Sequence, residues 1–475
     1  MEFPVMSSPL LIEMLQRIDA GVHRRTENTA YWRGKQPLAF LSPESRAALG
    51  NRMGVLAVNF PRVQITSLTE RLRVAGFSGS VDPWPDFISN DLDQLADVIH
   101  KEALLQGQSF CLVWSDEQGN PRATVESAEN VAVKRDPVTR EVVVGCKRIR
   151  VKTTPTTVGY TEAWIYLPDE VQHWRSNSPG GSGEFELLEV VPNPLGLVPV
   201  VPFVNADLLP LMNMDPVYLE ESGASEIDPL KCLVDGLNKT LADLAVAQEF
   251  TARPRRWATG IEATEQPVLD ADGNPVLVDG EPIMEAVSPI PEGNRAMLAS
   301  NDAAKFGQLD GANLAGFRTA VDVWIQAVMA VSALPAHMCG ITTANPSTAD
   351  AIRAAEAGLT SRAESKQLMF GRSWEAVARL LAAIRAGVNP STVAVKVAWS
   401  PADTRSQAAE ADAAQKLYSS GILSRTAILR RLGLTDGEIA EELDNVQRDA
   451  SIGADISIGR YVRDAVKPSP NPAHQ

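Results

Sequence analysis

The sequence holds little of what marks most enzymes and binding modules. Its four cysteines, Cys111, Cys146, Cys232 and Cys339, lie far apart with no CxxC pair, which excludes a disulfide framework or a zinc ribbon and fits a reducing, intracellular origin. Its five histidines never stand at i, i+4 spacing and HExxH is absent, so a helical zinc site is excluded. GxSxG, the turn that exposes a serine nucleophile, is missing too. Without GxxxxGK[ST] there is no backbone cradle and lysine for a nucleotide phosphate, and the chain is not an ATP-driven motor by itself. No stretch approaches 18 apolar residues, and Met1 to Arg17 lacks a basic segment followed by an apolar one, so neither export by a signal peptide nor membrane spanning is expected. Positive charge is also short: Lys+Arg 44 against Asp+Glu 59 leaves −15 over 475 residues. Tight wrapping of DNA needs many lysines and arginines to displace counterions, so nucleic acid would be held loosely.

What remains is an ordinary globular composition, 44% hydrophobic and 22% charged, long enough for about three domains. Apolar spacing predicts a helix from Ser8 to Ala30 and another around Leu92, Leu95, Ile99 and Ala103, delivering the chain at Gly107 to a strand over Ser109–Trp114. Short strands follow, among them 124–126, 141–147 and 163–167, separated by turn clusters such as Asp136-Pro137 and Pro179-Gly180-Gly181. This is an α+β region with a mostly antiparallel sheet, and the prolines of Asn193–Phe203 predict an extended path at its end. Ser225 with Asp228 reads as a capping box opening a long helix to about Thr251. A small β-rich excursion with turns at Asp272–Pro275 and Asp279–Pro282 precedes a second long helix stopped by Pro335. Ser347 with Asp350 then opens a third, very long helix that runs almost to Ala386, interrupted only by Gly358 and Gly371, followed by a strand over Val393–Trp399 and helical pieces at 407–420, 425–432 and 436–446. His337 beside Cys339 is read as loop packing, and Asp270-Ala271-Asp272-Gly273 as a hairpin turn that lacks the downstream glutamate of a calcium loop.

This order of elements resembles the portal proteins of tailed bacteriophages, in the branch found in phages of actinobacteria. The residues that carry the resemblance are Tyr31-Trp32-Arg33-Gly34, Arg71 to Phe77, Gly107-Gln108-Ser109-Phe110 and Asn193 to Phe203 in the N-terminal half. Ser225-Glu226-Ile227, Asp235 to Thr240, Arg253 to Gly260, Asn345-Pro346-Ser347 and Glu356 to Leu359 continue it, so that it spans roughly Ser8 to Gly433.

The resemblance implies a portal-protein fold: an α+β wing over 1–224, stem helices at 225–252 and 308–334, a β-rich clip at 253–307 and a tunnel loop at 335–347. A long wing helix and strand at 348–400, a helical crown at 401–465 and a disordered tail at 466–475 complete it. It implies a homo-oligomeric ring of twelve subunits at one capsid vertex, in the virion and, during assembly, in the host cytoplasm. Partners would be the terminase large subunit, head-completion or adaptor proteins, the major capsid and scaffold proteins, and double-stranded DNA passing without regard to sequence. No cofactor, metal or catalytic residue is expected. Ile341, Thr342, Thr343, Ala344 and Asn345 fall where the family places its DNA-facing loop, which here contains no Lys or Arg. Lys305, Arg318 and Arg353 are the basic residues that could ring the channel, while Leu237, Leu241, Leu244, Phe317, Val321 and Trp324 form the apolar stripes of the stem. The alternative from another class is a soluble hydrolase with a carboxylate-based site, because carboxylates are too abundant for spacing to exclude a catalytic pair.

Overall fold

A computed structural model of the chain describes residues 8–37, 57–154, 158–179, 184–207, 223–252, 256–259, 264–268, 274–278, 280–287, 303–308, 314–341, 348–403, 407–431, 434 and 437–450. The chain divides into two compact units, one of Met1–Gln36, Ala57–Val234 and Gln326–Gln475, the other of Pro37–Leu56 and Asp235–Ile325.

In the first unit, helix α1 (Pro9–Ala20) is capped by Ser8, whose hydroxyl accepts from the Leu10 N–H at 3.3 Å, with proline at the first helical position. The apolar pattern predicts one helix to Ala30, but the chain breaks at Gly21 and restarts as α2 (Val22–Trp32). The cause is Arg25. Its guanidinium fills the space that a Cβ on residue 21 would need, 2.2 Å away, and its Nη2 donates to the Ile18 carbonyl. The glycine's missing side chain lets a buried arginine satisfy a carbonyl at the end of α1.

Helix α3 (Phe60–Thr69), strand β1 (Val74–Gly79) and the short α4 (Trp84–Ser89) lead to α5 (Leu92–Gln106). Gly107, with φ of 91°, closes α5 and turns the chain into β2 (Gln108–Ser115). β2 is the middle strand of a three-stranded antiparallel sheet, between β3 (Pro121–Ser127) and β9 (Val200–Val204). Between them, β4 (Val131–Arg135), β5 (Val142–Val151), β6 (Tyr160–Tyr166), β7 (Glu170–Ser176) and β8 (Glu186–Pro192) form a five-stranded antiparallel meander in chain order. Leu11, Met14 and Ile18 of α1 pack against Val144, Ala163 and Trp174 of the meander. Alternate residues Val131, Tyr166 and Val171 pack with Phe110, Leu112 and Val200 of the smaller sheet, so the side-chain period of two gives each sheet face its own partner. The segment Asn193–Phe203 is not extended throughout: it turns at Gly196 (φ 66°) before entering β9, an edge strand where Pro202 breaks no ladder.

The second unit holds most of two long helices, α6 (Lys231–Ala252) and α7 (Ala315–Ser332), with paired strands between them in sequence. β10 (Arg256–Thr259) pairs with β15 (Lys305–Gln308), β11 (Thr264–Pro267) with β14 (Met284–Val287), and β12 (Leu277–Val278) with β13 (Glu281–Pro282) around Gly280 at φ 86°. The predicted turn at Asp272-Gly273 lies outside the described residues. Two sequence expectations are corrected. Residue 308 belongs to a strand and the second long helix starts at Ala315. The first begins at Lys231 after a 3-10 turn over Asp228–Leu230, because the Ser225 hydroxyl donates to the Leu105 carbonyl at 2.5 Å instead of capping the helix. Half of the expected box survives: the Ser225 N–H donates to Asp228 Oδ2 at 3.2 Å.

Back in the first unit, α8 (Ala349–Ala386) is one continuous helix of 38 residues. Gly371 does not interrupt it; a Cβ there would lie 3.2 Å from Val397 Cγ1 and 3.3 Å from Trp399 Nε1, so the glycine admits strand β16 (Val395–Trp399). β16 pairs antiparallel with β1. Leu359, Phe370, Trp374, Val377 and Leu381 of α8 are fully buried in the main core, where Trp374 Nε1 donates to His100 Nε2 at 2.8 Å. His100 stacks on Phe370 with ring centroids 5.4 Å apart. Burial without a counter-charge holds this imidazole neutral, its pKa pulled down to about 3. Helices α9 (Gln407–Ser419), α10 (Arg425–Arg431) and 437–450 follow, and the predicted tail at 466–475 lies outside the described residues.

Candidate functional site

The loop singled out by the sequence is anchored at both ends. On its N-terminal side Ser332 ends α7: its hydroxyl donates to the Val328 carbonyl at 2.6 Å and accepts from the Leu334 N–H at 3.2 Å. Ala333 carries a positive φ of 56°, which costs a residue with a Cβ free energy that glycine would not lose. Pro335 then opens a 3-10 turn over Ala336–Cys339, closed by Gly340 at φ 76°, and the Ile341 N–H returns to the Ala336 carbonyl at 3.0 Å. Ile341 is exposed, while Thr342, Thr343, Ala344 and Asn345 lie outside the described residues. On the C-terminal side Thr348 caps α8, its hydroxyl accepting from the Ala351 N–H at 3.3 Å. The cap predicted at Ser347 therefore falls one residue later.

Sequence reading missed the ion cluster beneath this loop. Arg71 Nη2 donates to Glu356 Oε2 at 3.0 Å and its Nη1 to the Ser67 carbonyl at 2.9 Å, while His337 Nε2 lies 3.2 Å from Glu356 Oε1. Arg71 and Glu356 are both largely buried, so the arginine's second bond offsets part of the cost of burying its charge, although its Nε finds no partner. Ser67 also donates to Met338 Sδ at 3.5 Å, tying the 3-10 turn to α3. Arg71 and Glu356 are 285 residues apart, a separation that no local pattern reports. His337 is thus engaged by a carboxylate and not by Cys339, whose thiol burial pushes up and away from nucleophilic use. Among the described residues no group of three His, Cys, Asp or Glu could hold a metal ion, and no helix is long and apolar enough to cross a membrane.

The six residues expected to form the stem stripes all belong to the second unit. Leu237 is 1% exposed, but Leu241, Leu244, Phe317, Val321 and Trp324 are only half-buried in the single chain. Trp324 Nε1 donates to Thr240 Oγ1 at 3.0 Å, and Thr240 Oγ1 donates in turn to the Gly236 carbonyl at 2.9 Å. A Cβ on residue 236 would come within 2.6 Å of the Trp324 ring, so glycine at that point of α6 makes room for the indole of α7. Of the basic candidates, Lys305 is exposed on β15 opposite Thr259, Arg318 is exposed on α7, and Arg353 is half-buried on α8 in the first unit.

Compared with known proteins, residues 71–452 match the family model described as phage portal protein, SPP1 Gp6-like. The portal protein of Mycobacterium phage L5 is 30% identical over 430 residues, covering 86% of this chain and 82% of that protein. The portal protein of Mycobacterium phage D29 is 29% identical over 436 residues, 87% of this chain and 84% of that one. Among solved structures, a chain from the virion of a native gene transfer agent particle aligns over 86% of this chain and 99% of its own, at 14% identity and a TM-score of 0.42. A chain from the neck of such a particle, computed with C12 symmetry, aligns over the same shares at 14% identity and a TM-score of 0.41. The family match extends over most of the sequence, and this chain belongs to the SPP1 Gp6-like family of phage portal proteins.

Proposed function

We propose that the chain is the subunit of a twelve-membered ring at one capsid vertex, through which genomic DNA is packaged and later ejected. Family membership over 71–452 carries this reading and leaves the carboxylate-hydrolase alternative without support. In it, residues 1–224 form the outer wing, 225–252 and 308–334 the stem, 253–307 the clip, 335–347 the tunnel loop, 348–400 the long wing helix with its strand, and 401–465 the crown. Terminase large subunit docks first and head-completion proteins replace it, while the major capsid and scaffold proteins surround the wing in the infected cell.

The physical chemistry is that of a conduit. Hydrolysis belongs to terminase, in keeping with a chain that lacks a P-loop. At −15 per subunit the ring repels phosphate overall, which suits a channel that DNA must slide through without being gripped. Lys305, Arg318 and Arg353 add local positive charge to that channel in this reading. The half-buried faces of Leu241, Leu244, Phe317, Val321 and Trp324 become the packing surface between neighbouring stems, which explains why a single chain leaves them unfinished. Mass photometry of the purified protein tests the ring, with species near twelve times 51.2 kDa and a central hole in negative stain expected. Deleting Thr342 to Asn345 should leave rings intact and impair packaging; normally filled virions from that deletion would overturn the tunnel-loop assignment.

A further inference from the structure

In the first unit an open cleft of about 750 Å³ lies between the outer edge of β9, one face of α8 and the β4–β5 turn. Its floor is aliphatic, built by Val200, Val204, Met369, Ala376 and Leu380. Its rim carries four guanidinium groups, Arg135 and Arg140 from the turn and Arg372 and Arg379 from the helix, set against the lining carboxylate of Glu141, while Glu375, outside the lining, pairs with Arg372 at 3.1 Å. Arg379 is half-buried and has no carboxylate within ion-pair distance among the described residues. On a chain of net charge −15 this is a local reversal of sign.

The reversal selects for ligand size. Beyond about 8 Å at physiological ionic strength, exposed charges are screened from one another. A short ligand therefore feels the four arginines, whereas a long polyanion meets the acidic remainder of the chain. An apolar floor beneath a cationic rim matches side chains that alternate between aliphatic and acidic, whereas the hydrated backbone of a nucleic acid would engage the rim alone and leave the floor unused. Main-chain pairing along β9 would be incomplete, because Pro202 has no N–H and its carbonyl already accepts from Ser373 Oγ at 2.8 Å. Recognition would rest on side chains. We propose that this cleft docks a short, acidic and partly aliphatic segment of a partner protein, held by Arg372 and Arg379 over the Ala376 floor.

The test uses the full chain and a fluorescein-labelled octapeptide that alternates leucine with glutamate, read by fluorescence anisotropy. Matched peptides that alternate leucine with glutamine, or serine with glutamate, should each bind about tenfold more weakly, because each removes one half of the complementarity. The double variant Arg372→Gln and Arg379→Gln should weaken the leucine–glutamate peptide by about tenfold and reduce its salt dependence. Ala376→Trp, which fills the floor from a half-exposed helix position, should abolish binding with the thermal midpoint retained. Unchanged affinity in both variants overturns the proposal. A short single-stranded oligonucleotide that competes equally overturns it in favour of a general anion surface. Binding that appears only after residues 208–222 are replaced by a Gly/Ser linker overturns it in favour of the chain's own segment. Binding by isolated subunits and not by rings overturns it in favour of a neighbouring copy.

Discussion

The two units of this chain use similar apolar residues to different ends. In the first, Phe110, Phe203, Phe370 and Trp374 are fully buried, and even the polar His100 is enclosed with its Nε2 bonded to the Trp374 indole. In the second, Leu237 and Ala242 are buried, but Leu241, Phe317 and Trp324 are half-buried, Val323 is 59% exposed and Leu277 is 60% exposed. The difference teaches where stability comes from. The first unit closes three cores within one chain while leaving Val138 and Leu368 exposed at its surface, whereas among the described residues of the second few large apolar side chains are fully buried.

Substitutions in α6 should separate these sources most sharply. Leu237→Asp places an unpaired charge in a buried site and should cost several kcal/mol in the single chain, whereas Leu241→Asp should cost that chain little and abolish rings in mass photometry. Equal loss of single-chain stability from the two, measured by urea denaturation, would erase the contrast. In the first unit, Trp374→Ala should cost about 3–5 kcal/mol, since it opens a cavity and strips His100 of its donor. Its denaturation midpoint should fall without any change in the ability of folded subunits to form rings.

A more gradual effect concerns acid. Unfolded, the His100 imidazole titrates near 6.5; folded, it titrates near 3. Between those values the unfolded chain binds the extra proton, so this contribution is complete above pH 6.5 and is lost as pH falls towards 3, at up to about 1.4 kcal/mol per pH unit. His100→Asn should therefore give a flatter stability curve across that window, and a constant offset from the parent protein would show that the histidine does not set the slope. The smallest effect expected is a gain. Ala333→Gly relieves the left-handed backbone at the end of α7 and should raise stability by about 1 kcal/mol, seen as a higher urea midpoint.

Much of the architecture was legible in local patterns. Gly107 after a helix of apolar spacing marked the start of β2, and the alternation ending at Trp399 marked β16. The length of the 38-residue helix was legible, but the sequence marks Gly358 and Gly371 as interruptions, and the helix passes both without a break. What escaped depends on side-chain contacts that the apolar period does not record. Nothing near Gly21 announces that Arg25 will fold back over it, and nothing near Ser225 announces that its hydroxyl is taken by Leu105. β8 escaped because six of its seven residues are exposed, so it lacks the alternation of a half-buried strand. At the candidate site the loop was located from its resemblance, but the Arg71–Glu356–His337 cluster brings three separate segments together and has no signature in any one of them.

The pairing of β1 with β16 also sets a timetable. Val74 to Gly79 leaves the ribosome early, but its partner, Val395 to Trp399, follows more than 300 residues later, after the entire second unit. At ordinary synthesis rates that delay is on the order of tens of seconds. Throughout it, Phe77 and Phe87 lack the later helix and strand that bury them in the finished core. The inserted unit can complete its own chain before the surrounding unit can close, so the last strand to emerge limits when the first one is protected.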